Sequence, residues 1–497
     1  MVATTASSSC LEGCPNEITE SIVMTLELKD ICSLRCASRL MKEKTTQDRF
    51  KSFFRTESVR LNEQSLLSFA ANTRPGMLGC LVEELDLVGL VYNPVQLENI
   101  LTTKTRTVTK RNGPMTMSTE ERCGADELVK VQKDLDTLNE AKHSAEQLHN
   151  DGRDVELLAQ TFENLKANGW SPLRKLRTLI KVFRDDAVTE IDPLEGGSYK
   201  LIWQKAAETL RTTLSALSNS GLAVDELDAF SEVHRCAVAA NELSPIDTTN
   251  ESLNSVLGKM TTFSIGISNR DIPKTEEQIL EFERPVFPSF RTYKAQTPRD
   301  PTIMKAEADD EDNFTGLSNL LALSPNLETL DLHFYNLDSP PVETHNPKLF
   351  TRILETTTFS TLTALRLRGF HLHSQDLLRS ITRSPLRKLR LENLHLITGT
   401  WRSLFAFIAE GPQGYDWILV DDLFEGSRLL YFSSEGDGKP KFPSLCGTKG
   451  TNGVLRRGED AKRRVEFHFA AERPFGSPQV YHWHVRRQIE YGPPDGL

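Results

Sequence analysis

Apolar residues recur along much of the chain in one spacing, Leu-x-x-Leu-x-Leu-x-x-apolar. In each copy, two apolar residues flank one polar residue, which is the alternation of a short strand with one buried face. The clear copies begin at Val82, Leu327, Leu362 and Leu386. Weaker copies begin at Leu173, Val224, Met260 and Trp417. This pattern predicts about eight short strands spread over the chain.

Helical spacing of apolar residues precedes two of the clear copies, with Leu349 and Ile353 before one and Leu377 and Ile381 before the next. Strand phrases that alternate with such helices resemble leucine-rich repeats. The resemblance implies an α/β solenoid over residues 61–422, with parallel strands and helices on the convex side. Leu327 and Leu362 are 35 residues apart but Leu362 and Leu386 only 24, so the expected array is irregular. A generic α/β domain with chance leucine spacing is the alternative.

Two insertions, near residues 102–150 and 285–313, are expected to interrupt the array. The polar stretch 102–119 predicts a disordered loop, and the apolar spacing over 126–150 predicts a long amphipathic helix. The proline-containing stretch 285–313, which ends in an acidic run, predicts a solvated loop or, alternatively, a partner-binding segment. Residues 423–497, rich in turn signals with strand-like runs between them, predict a C-terminal cap for the solenoid.

Residues 14–60 predict a small helical unit. Pro15 can open a helix, Ile18, Ile22 and Leu26 form an apolar stripe, and Asp30 can cap a second helix. Residues 42–46 are expected to form a polar connection, followed by a third apolar ridge that contains three phenylalanines. We expect residues 1–13 to be disordered.

This unit resembles the F-box, in the variant common in filamentous fungi. The resemblance is carried by Pro15, Ile18, Ile22, Leu26, Asp30, Ile31, Leu34, Arg35, Ala37, Ser38 and Arg39. Two positions depart from the usual pattern, because Cys14 replaces the leucine before the proline and Ile31 replaces the leucine after the aspartate. Both replacements are apolar and weaken the match little. A short helical hairpin packed on the rest of the chain is the alternative.

The F-box resemblance implies a partner, the small Skp adaptor, and through it a cullin scaffold and the ubiquitin-transfer machinery. The contact residues that it implies are Cys14, Pro15, Ile18, Ile22, Leu26, Ile31 and Leu34. Some of these seven must instead hold the helices together, and the sequence does not apportion them.

Composition and charge exclude several other classes. The chain has 59 Lys and Arg against 69 Asp and Glu, a formal net charge of −10, and lacks the basic excess of most nucleic-acid-binding proteins. Its stretches without charged residues are shorter than the roughly 20 apolar residues that span a membrane, and no secretory signal is evident. Eight cysteines in 497 residues are too sparse for a disulfide framework. We therefore expect a cytoplasmic or nuclear protein that binds neither nucleic acid nor membrane.

No recognisable catalytic, cofactor or metal motif accompanies this pattern. Cys32 and Cys36 lie one helical turn apart without a further ligand pair, and His482 and His484 alternate on a strand-like run without a third ligand. We expect no enzyme activity, cofactor or metal in this chain. A hydrolase or effector site near the two histidines is a remote alternative.

The expected function is substrate recognition in an SCF-type ubiquitin ligase, with the F-box bound to the adaptor and the array bound to a target protein. Outward-facing strand positions are the candidate target contacts: Asp331, His333, Arg366, Arg368, Lys388 and Arg390. Four of them are basic, which favours an acidic or phosphorylated target. Alternatively, these cations pair with neighbouring acids, or the chain is a scaffold that engages the adaptor without degrading its partner.

Overall fold

The computed structural model describes residues 11–112, 115–169, 172–196, 199–270, 301–335, 347–411, 414–426, 428–432 and 451–469. Within them the chain has a mixed α/β architecture built around one large, mostly parallel sheet. The predictions for residues 1–10 and for the stretch 285–300 lie outside this set, as do His482 and His484.

The N-terminal part is helical, as predicted. A 3-10 turn, Leu11–Gly13, precedes four helices: α1 (Asn16–Val23), α2 (Leu28–Ala37), α3 (Arg39–Thr45) and α4 (Asp48–Ser52). Val23, Ile31 and Phe50 form a small core of their own, against which the flanking residues Phe53 and Phe54 pack.

Three details of that prediction are wrong. Residues 11–13 form a 3-10 turn, although we expected disorder there, and α2 begins at Leu28, two residues before Asp30. Most of the expected polar connection, residues 42–46, belongs to α3. That helix starts early because the Ser38 hydroxyl accepts a hydrogen bond from the backbone N–H of Met41 (3.2 Å) and so caps its first turn.

Ten strands form the main sheet in the order in which they occur along the chain, and each is parallel to its neighbours except the last. They are β1 (Thr56–Arg60), β2 (Glu84–Tyr92), β5 (Leu173–Phe183), β6 (Val224–Ala229), β8 (Thr262–Ser268), β9 (Thr329–Tyr335), β10 (Ala364–Arg368), β12 (Lys388–Glu392), β14 (Trp417–Asp421) and β17 (Gly453–Arg457). A two-residue strand, β7 (Val238–Ala239), also pairs with β8. Strands β2 to β14 of the main ladder cover all eight predicted strand segments, and β1 was not predicted.

Two rows of buried side chains run across these eight strands in unbroken register. The first row is Leu85, Leu176, Leu227, Phe263, Leu330, Leu365, Leu389 and Ile418. The second row, two residues further along each strand, is Leu87, Thr178, Ala229, Ile265, Leu332, Leu367, Leu391 and Val420. Because side chains alternate along a strand, the residue between the two rows faces the opposite side of the sheet.

Helices cover the face that carries these rows. Those that bury apolar side chains in the same core are α5 (Glu63–Asn72), α8 (Arg153–Ala167), α9 (Tyr199–Ser220), α10 (Glu251–Leu257), α12 (Asp312–Ala322), α13 (Lys348–Thr356), α14 (Ser374–Arg383) and α15 (Trp401–Glu410). The remaining helix in this region, α11 (Pro301–Ala308), precedes α12. We call the opposite side of the sheet the open face.

The first predicted insertion covers one end of the open face. Helix α6 (Val95–Thr103), the hairpin of β3 (Thr105–Asn112) and β4 (Met115–Arg122), and α7 (Ala125–Asn150) follow β2 in the chain. Apolar side chains of α6 and α7 pack on Val88 and Leu90, which alternate with the buried rows of β2. The long helix is confirmed, whereas the expected disordered loop over 102–119 is wrong, because that stretch contains most of the paired hairpin.

The prediction of a solvated loop over residues 285–313 is also wrong in part. Residues 301–308 and 312–322 are helical, and the Asn313 amide donates to the Glu307 and Ala308 carbonyls (2.8 and 3.0 Å) at the junction. Beyond residue 422, β17 pairs antiparallel with β14 at the end of the sheet.

A second, smaller sheet stacks short strands that follow the main ones: β11 (His371–His373), β13 (His395–Thr398), β15 (Phe424–Glu425), β16 (Arg428–Phe432) and β18 (Phe467–Phe469). The turn from each main strand into the first three uses one left-handed residue, Gly369, Asn393 or Asp422, with φ of 79°, 50° and 53°. Glycine, asparagine and aspartate are the residue types that tolerate this conformation best.

Gly316 allows α12 to approach the backbone around Leu243 and Ser244. A β-carbon at Gly316 would lie 2.4 Å from the Leu243 carbonyl carbon and 2.4 Å from the Ser244 nitrogen. Alanine normally stabilises a helix interior by about 1 kcal/mol relative to glycine. Here we expect Gly316→Ala to lower the free energy of unfolding by about 1–3 kcal/mol, because two backbones would have to move apart.

Urea denaturation of the full chain measures this effect. Asn319→Ala, at an exposed position of the same helix, is the control. It should leave stability unchanged or raise it by about 0.5 kcal/mol, because alanine is the better helix former. A denaturation midpoint for Gly316→Ala at or above that of the wild type would contradict the packing described here.

Candidate interaction surfaces

The predicted adaptor contacts lie on α1, α2 and the turns around them. Pro15 is exposed and Ile18 is 51% exposed. Cys14, Ile22, Leu26 and Leu34 are partly exposed. Six of the seven positions are thus accessible at least in part.

Ile31 differs from the other six because it is fully buried at the centre of the small helical core. It therefore holds the helices together and offers no surface to a partner. Sequence spacing did not separate this role from an interface role, because both require an apolar side chain.

Two exposed apolar residues near the predicted contacts were not singled out from the sequence. Met24 follows α1 and is 58% exposed, and Leu40 in α3 is 44% exposed. The α2 helix buries only one residue, Ile31, and exposes Cys32, Cys36 and Ala37. The N-terminal unit therefore leaves apolar and weakly polar surface on three of its helices.

The predicted target contacts do share the open face, on β9, β10 and β12. Asp331, Arg366 and Arg390 lie in one cross-strand row, and His333 and Arg368 lie in the next. Only Lys388 is exposed, however, and Asp331, His333 and Arg368 are buried. The expectation of an open basic face formed by all four cations is therefore wrong.

The arginines of this set are paired with acidic side chains of the chain itself. Arg366 contacts three carboxylates, those of Glu232 (2.7 Å), Asp331 (3.0 Å) and Glu392 (3.3 Å). Arg390 pairs with Glu392 at 2.6 Å. These contacts agree with the alternative noted from the sequence, that the cations pair with neighbouring acids.

The loop of residues 230–236 lies over the open face and adds to this network of ion pairs. The Arg368 guanidinium donates to the Ser231 carbonyl oxygen (2.9 Å) and to the Asp331 carboxylate (3.2 Å). The loop can lie this close to the sheet because position 266 is glycine, since a β-carbon there would lie 2.9 Å from the Cys236 carbonyl oxygen. The sequence contains no local signal for this contact, as Ser231 and Arg368 are 137 residues apart.

The pKa values of the carboxyl groups in this region are shifted in different directions. Burial raises the pKa of Asp331, an effect that the charges of Arg368 and Arg366 oppose. Partial burial also acts to raise the pKa of Glu232, but the charges of Arg368 and Arg366 outweigh it and hold that pKa below its usual value. Glu232 therefore remains a carboxylate docked on the two arginines, although its side chain is 64% exposed.

Asp228 lies in the same cross-strand row as Asp331, with Ser264 between them. Burial raises its pKa, although its carboxylate accepts a hydrogen bond from the Ser231 backbone N–H (3.0 Å). Among the described residues, no cation lies within 4 Å of this carboxylate, and the more distant charge of Lys175 lowers its pKa less than burial raises it.

A groove of about 610 Å³ lies on the other side of the sheet, between α12, α13 and the start of α14. Several of its charged side chains have partners within the chain, such as Lys348 with Asp309 (3.1 Å) and Arg352 with Glu311 (3.1 Å). Thr351 also donates to Asp376 (2.6 Å) across the groove. The lining is therefore largely neutralised by internal pairs, which leaves it little charge with which to attract an ionic ligand.

Within the described ranges there is no cluster of three or more histidine, cysteine, aspartate or glutamate side chains arranged to hold a metal ion. Nor is any helix in that part of the chain both long and apolar enough to cross a membrane. Neither a scan against protein-family models nor a search of curated proteins finds a match to this chain.

Asp228 provides a test of the electrostatics of the open face. A carboxyl group whose folded-state pKa is raised costs stability when it is ionised, and this cost disappears as the pH falls through the raised value towards the unfolded value of about 3.9. We expect Asp228→Asn to raise the melting temperature at pH 7 and the gain to shrink as the pH is lowered to about 4. Thermal unfolding at several pH values measures this.

Asp247→Asn is a control of opposite sign. Hydrogen bonds from Thr249 lower the pKa of Asp247, so its ionised form adds stability above the unfolded pKa and loses that contribution as the pH falls through the folded value. Its replacement should lower the melting temperature at pH 7 and have less effect at acidic pH. If both variants shifted in the same direction, the assignment for Asp228 would be wrong.

Proposed function

We propose that this chain is the substrate-recognition subunit of an SCF-type ubiquitin ligase, acting in the cytoplasm or nucleus. In this proposal the N-terminal unit is an F-box that binds the Skp adaptor and, through it, a cullin. The strand and helix repeats form an irregular leucine-rich array that binds a target protein. The chain itself carries out no bond chemistry.

The observation that carries the proposal is the exposed apolar surface of the N-terminal unit, at positions that the F-box resemblance had implied. Ile18, one of those positions, is half exposed on α1, and Pro15, which precedes that helix, is also exposed. Apolar anchors of this kind supply most of the binding energy in protein interfaces. A unit with a core of only a few buried residues also gains stability when a partner covers it.

The mechanism of such a receptor is proximity. A target held on the array is kept near the ubiquitin-charged enzyme, so that the effective concentration of its lysines rises. Rate enhancement of this kind requires no catalytic residue in the receptor.

Direct binding of the full-length chain to the Skp adaptor, measured by calorimetry, tests the proposal. We expect Ile18→Asp to weaken binding by roughly thirtyfold, because loss of an interface anchor costs about 2 kcal/mol or more. Adding Leu34→Asp to this variant should weaken binding further. Ile31→Asp is unsuitable because it would place a charge in the helical core.

Val129→Asp is the matched control, since Val129 is an apolar side chain, 71% exposed, on a helix outside the N-terminal unit. It should leave the adaptor affinity unchanged. A folded wild-type chain that does not bind the adaptor would contradict the proposal. Adaptor binding without faster turnover of any bound protein in cells would instead favour a non-degradative scaffold.

A further inference from the structure

The open face ends in a row of three side chains on adjacent strands. Lys388 on β12 is in register with Trp417 on β14, and Trp417 is in register with Arg457 on β17. Lys388 and Arg457 are exposed, and Trp417 is partly exposed. We call these three residues the basic–aromatic row.

Charges elsewhere along the same cross-strand line are paired within the chain. Glu84 pairs with Arg174, and Lys175 pairs with Glu226 on the neighbouring strand. Among the described residues, by contrast, no carboxylate lies within 4 Å of the side-chain nitrogens of Lys388 or Arg457. Two cations of the row are thus left for a group outside the described structure to neutralise.

The neighbouring strands show which group fits this face. Glu232 extends from the loop of residues 230–236 toward the sheet, and its carboxylate lies 2.7 Å from the guanidinium of Arg366 on β10. Lys388 lies on the next strand, two residues before Arg390, which is the register partner of Arg366. Among the described residues, no carboxylate contacts Lys388 in the way that Glu232 contacts Arg366. A partner that supplied carboxylates or phosphates there would continue an arrangement that the chain already uses.

The geometry of the row restricts the partner further. Lys388 and Arg457 are two strand spacings apart, roughly 10 Å. In a polyproline II segment the residues i and i+3 lie on the same side and are roughly 9 Å apart. Two acidic residues separated by two others would therefore reach both cations, while one of the two residues between them, on an adjacent side of the segment, contacts the indole of Trp417. Leu419 and Leu455, the next pair on the same strands, are partly exposed and extend the apolar surface.

We propose that the basic–aromatic row binds an acidic segment of a target protein, with two anionic side chains on Lys388 and Arg457 and an apolar residue on Trp417. This inference rests on the receptor function proposed above and specifies the chemistry of its target. The anionic groups are carboxylates or phosphates, which present the same negative oxygens to the cations.

A long polyanion such as nucleic acid fits the row less well. Asp416 precedes Trp417, and Glu459 and Asp460 follow Arg457, but each of these carboxylates has a cation of its own within 4 Å, so the three add little net charge beside the row. The repulsion of a long polyanion comes instead from the net charge of −10 of the chain as a whole. A short segment with two charges is repelled less.

Fluorescence anisotropy with the full-length chain tests the inference. The probe is the fluorescein-labelled peptide Gly-Glu-Pro-Phe-Glu-Gly, compared with the versions in which both glutamates are replaced by glutamine or by phosphoserine. A labelled twelve-nucleotide oligothymidine is the nucleic-acid arm. We expect the glutamate or phosphoserine peptide to bind at least roughly tenfold more tightly than the glutamine peptide, and more weakly as salt is added.

The double variant Lys388→Gln/Arg457→Gln should lose that preference, because both cations are gone. Lys133→Gln/Arg383→Gln, which removes two exposed cations on the helices α7 and α14, is matched in net charge and should bind as the wild type does. Trp417→Ala should weaken all peptides alike. The relative affinities of the glutamate and phosphoserine peptides distinguish a constitutively acidic target from a phosphorylated one.

Equal binding of the glutamate and glutamine peptides would overturn the inference, as would unchanged binding by the Lys388→Gln/Arg457→Gln variant. Tight binding of the oligothymidine alone would also overturn it. The adaptor assay on the same proteins separates the two proposals. If the chain binds the adaptor but not the peptides, only the proposal for the basic–aromatic row is wrong. If it binds the peptides but not the adaptor, the proposed receptor function is wrong and the proposal for the row still holds.

Discussion

The register between parallel strands is the constraint on which the rest of this structure depends. Each strand contributes one residue to each of the two buried rows, from Leu85 to Ile418 and from Leu87 to Val420. A shift of one strand by a single residue would turn its apolar side chains to the open face and its charges into the core. The same register therefore also decides which charges on the open face meet, including the row of Asp331, Arg366 and Arg390.

Much of the main sheet could be predicted because this constraint leaves a local trace. Leu365 and Leu367, or Leu389 and Leu391, alternate with arginine over the length of one strand, and no other element has that period. The β3–β4 hairpin was not predicted, because its sequence lacks this alternation. Its strand Thr105–Asn112 contains a single large apolar residue, Val108, so that neither of its faces shows the alternation of a buried strand.

The candidate surfaces were less predictable, because burial on the open face depends on residues that are far apart in the chain. Glu232 and Arg366 are separated by 134 residues, and nothing around either one indicates that they pair. Arg368 was expected to be exposed because it alternates with buried residues, and it would be if the loop containing Ser231 lay elsewhere. In the N-terminal unit, spacing identified a set of apolar positions but not which of them, like Ile31, point inward.

The junction between the N-terminal helices and the sheet has a mechanical consequence. Only three residues separate the end of α4 at Ser52 from the start of β1 at Thr56, and the Arg55 carbonyl oxygen accepts hydrogen bonds from the backbone N–H groups of Glu83 and Glu84 (2.8 and 2.9 Å). The connection between the two parts is short, since β1 is itself a strand of the sheet. If the chain is the ligase receptor proposed above, so short a connection would limit how far the adaptor-binding helices move relative to the target-binding sheet. The shape of a target would then help to decide which of its lysines comes near the ubiquitin-charged enzyme.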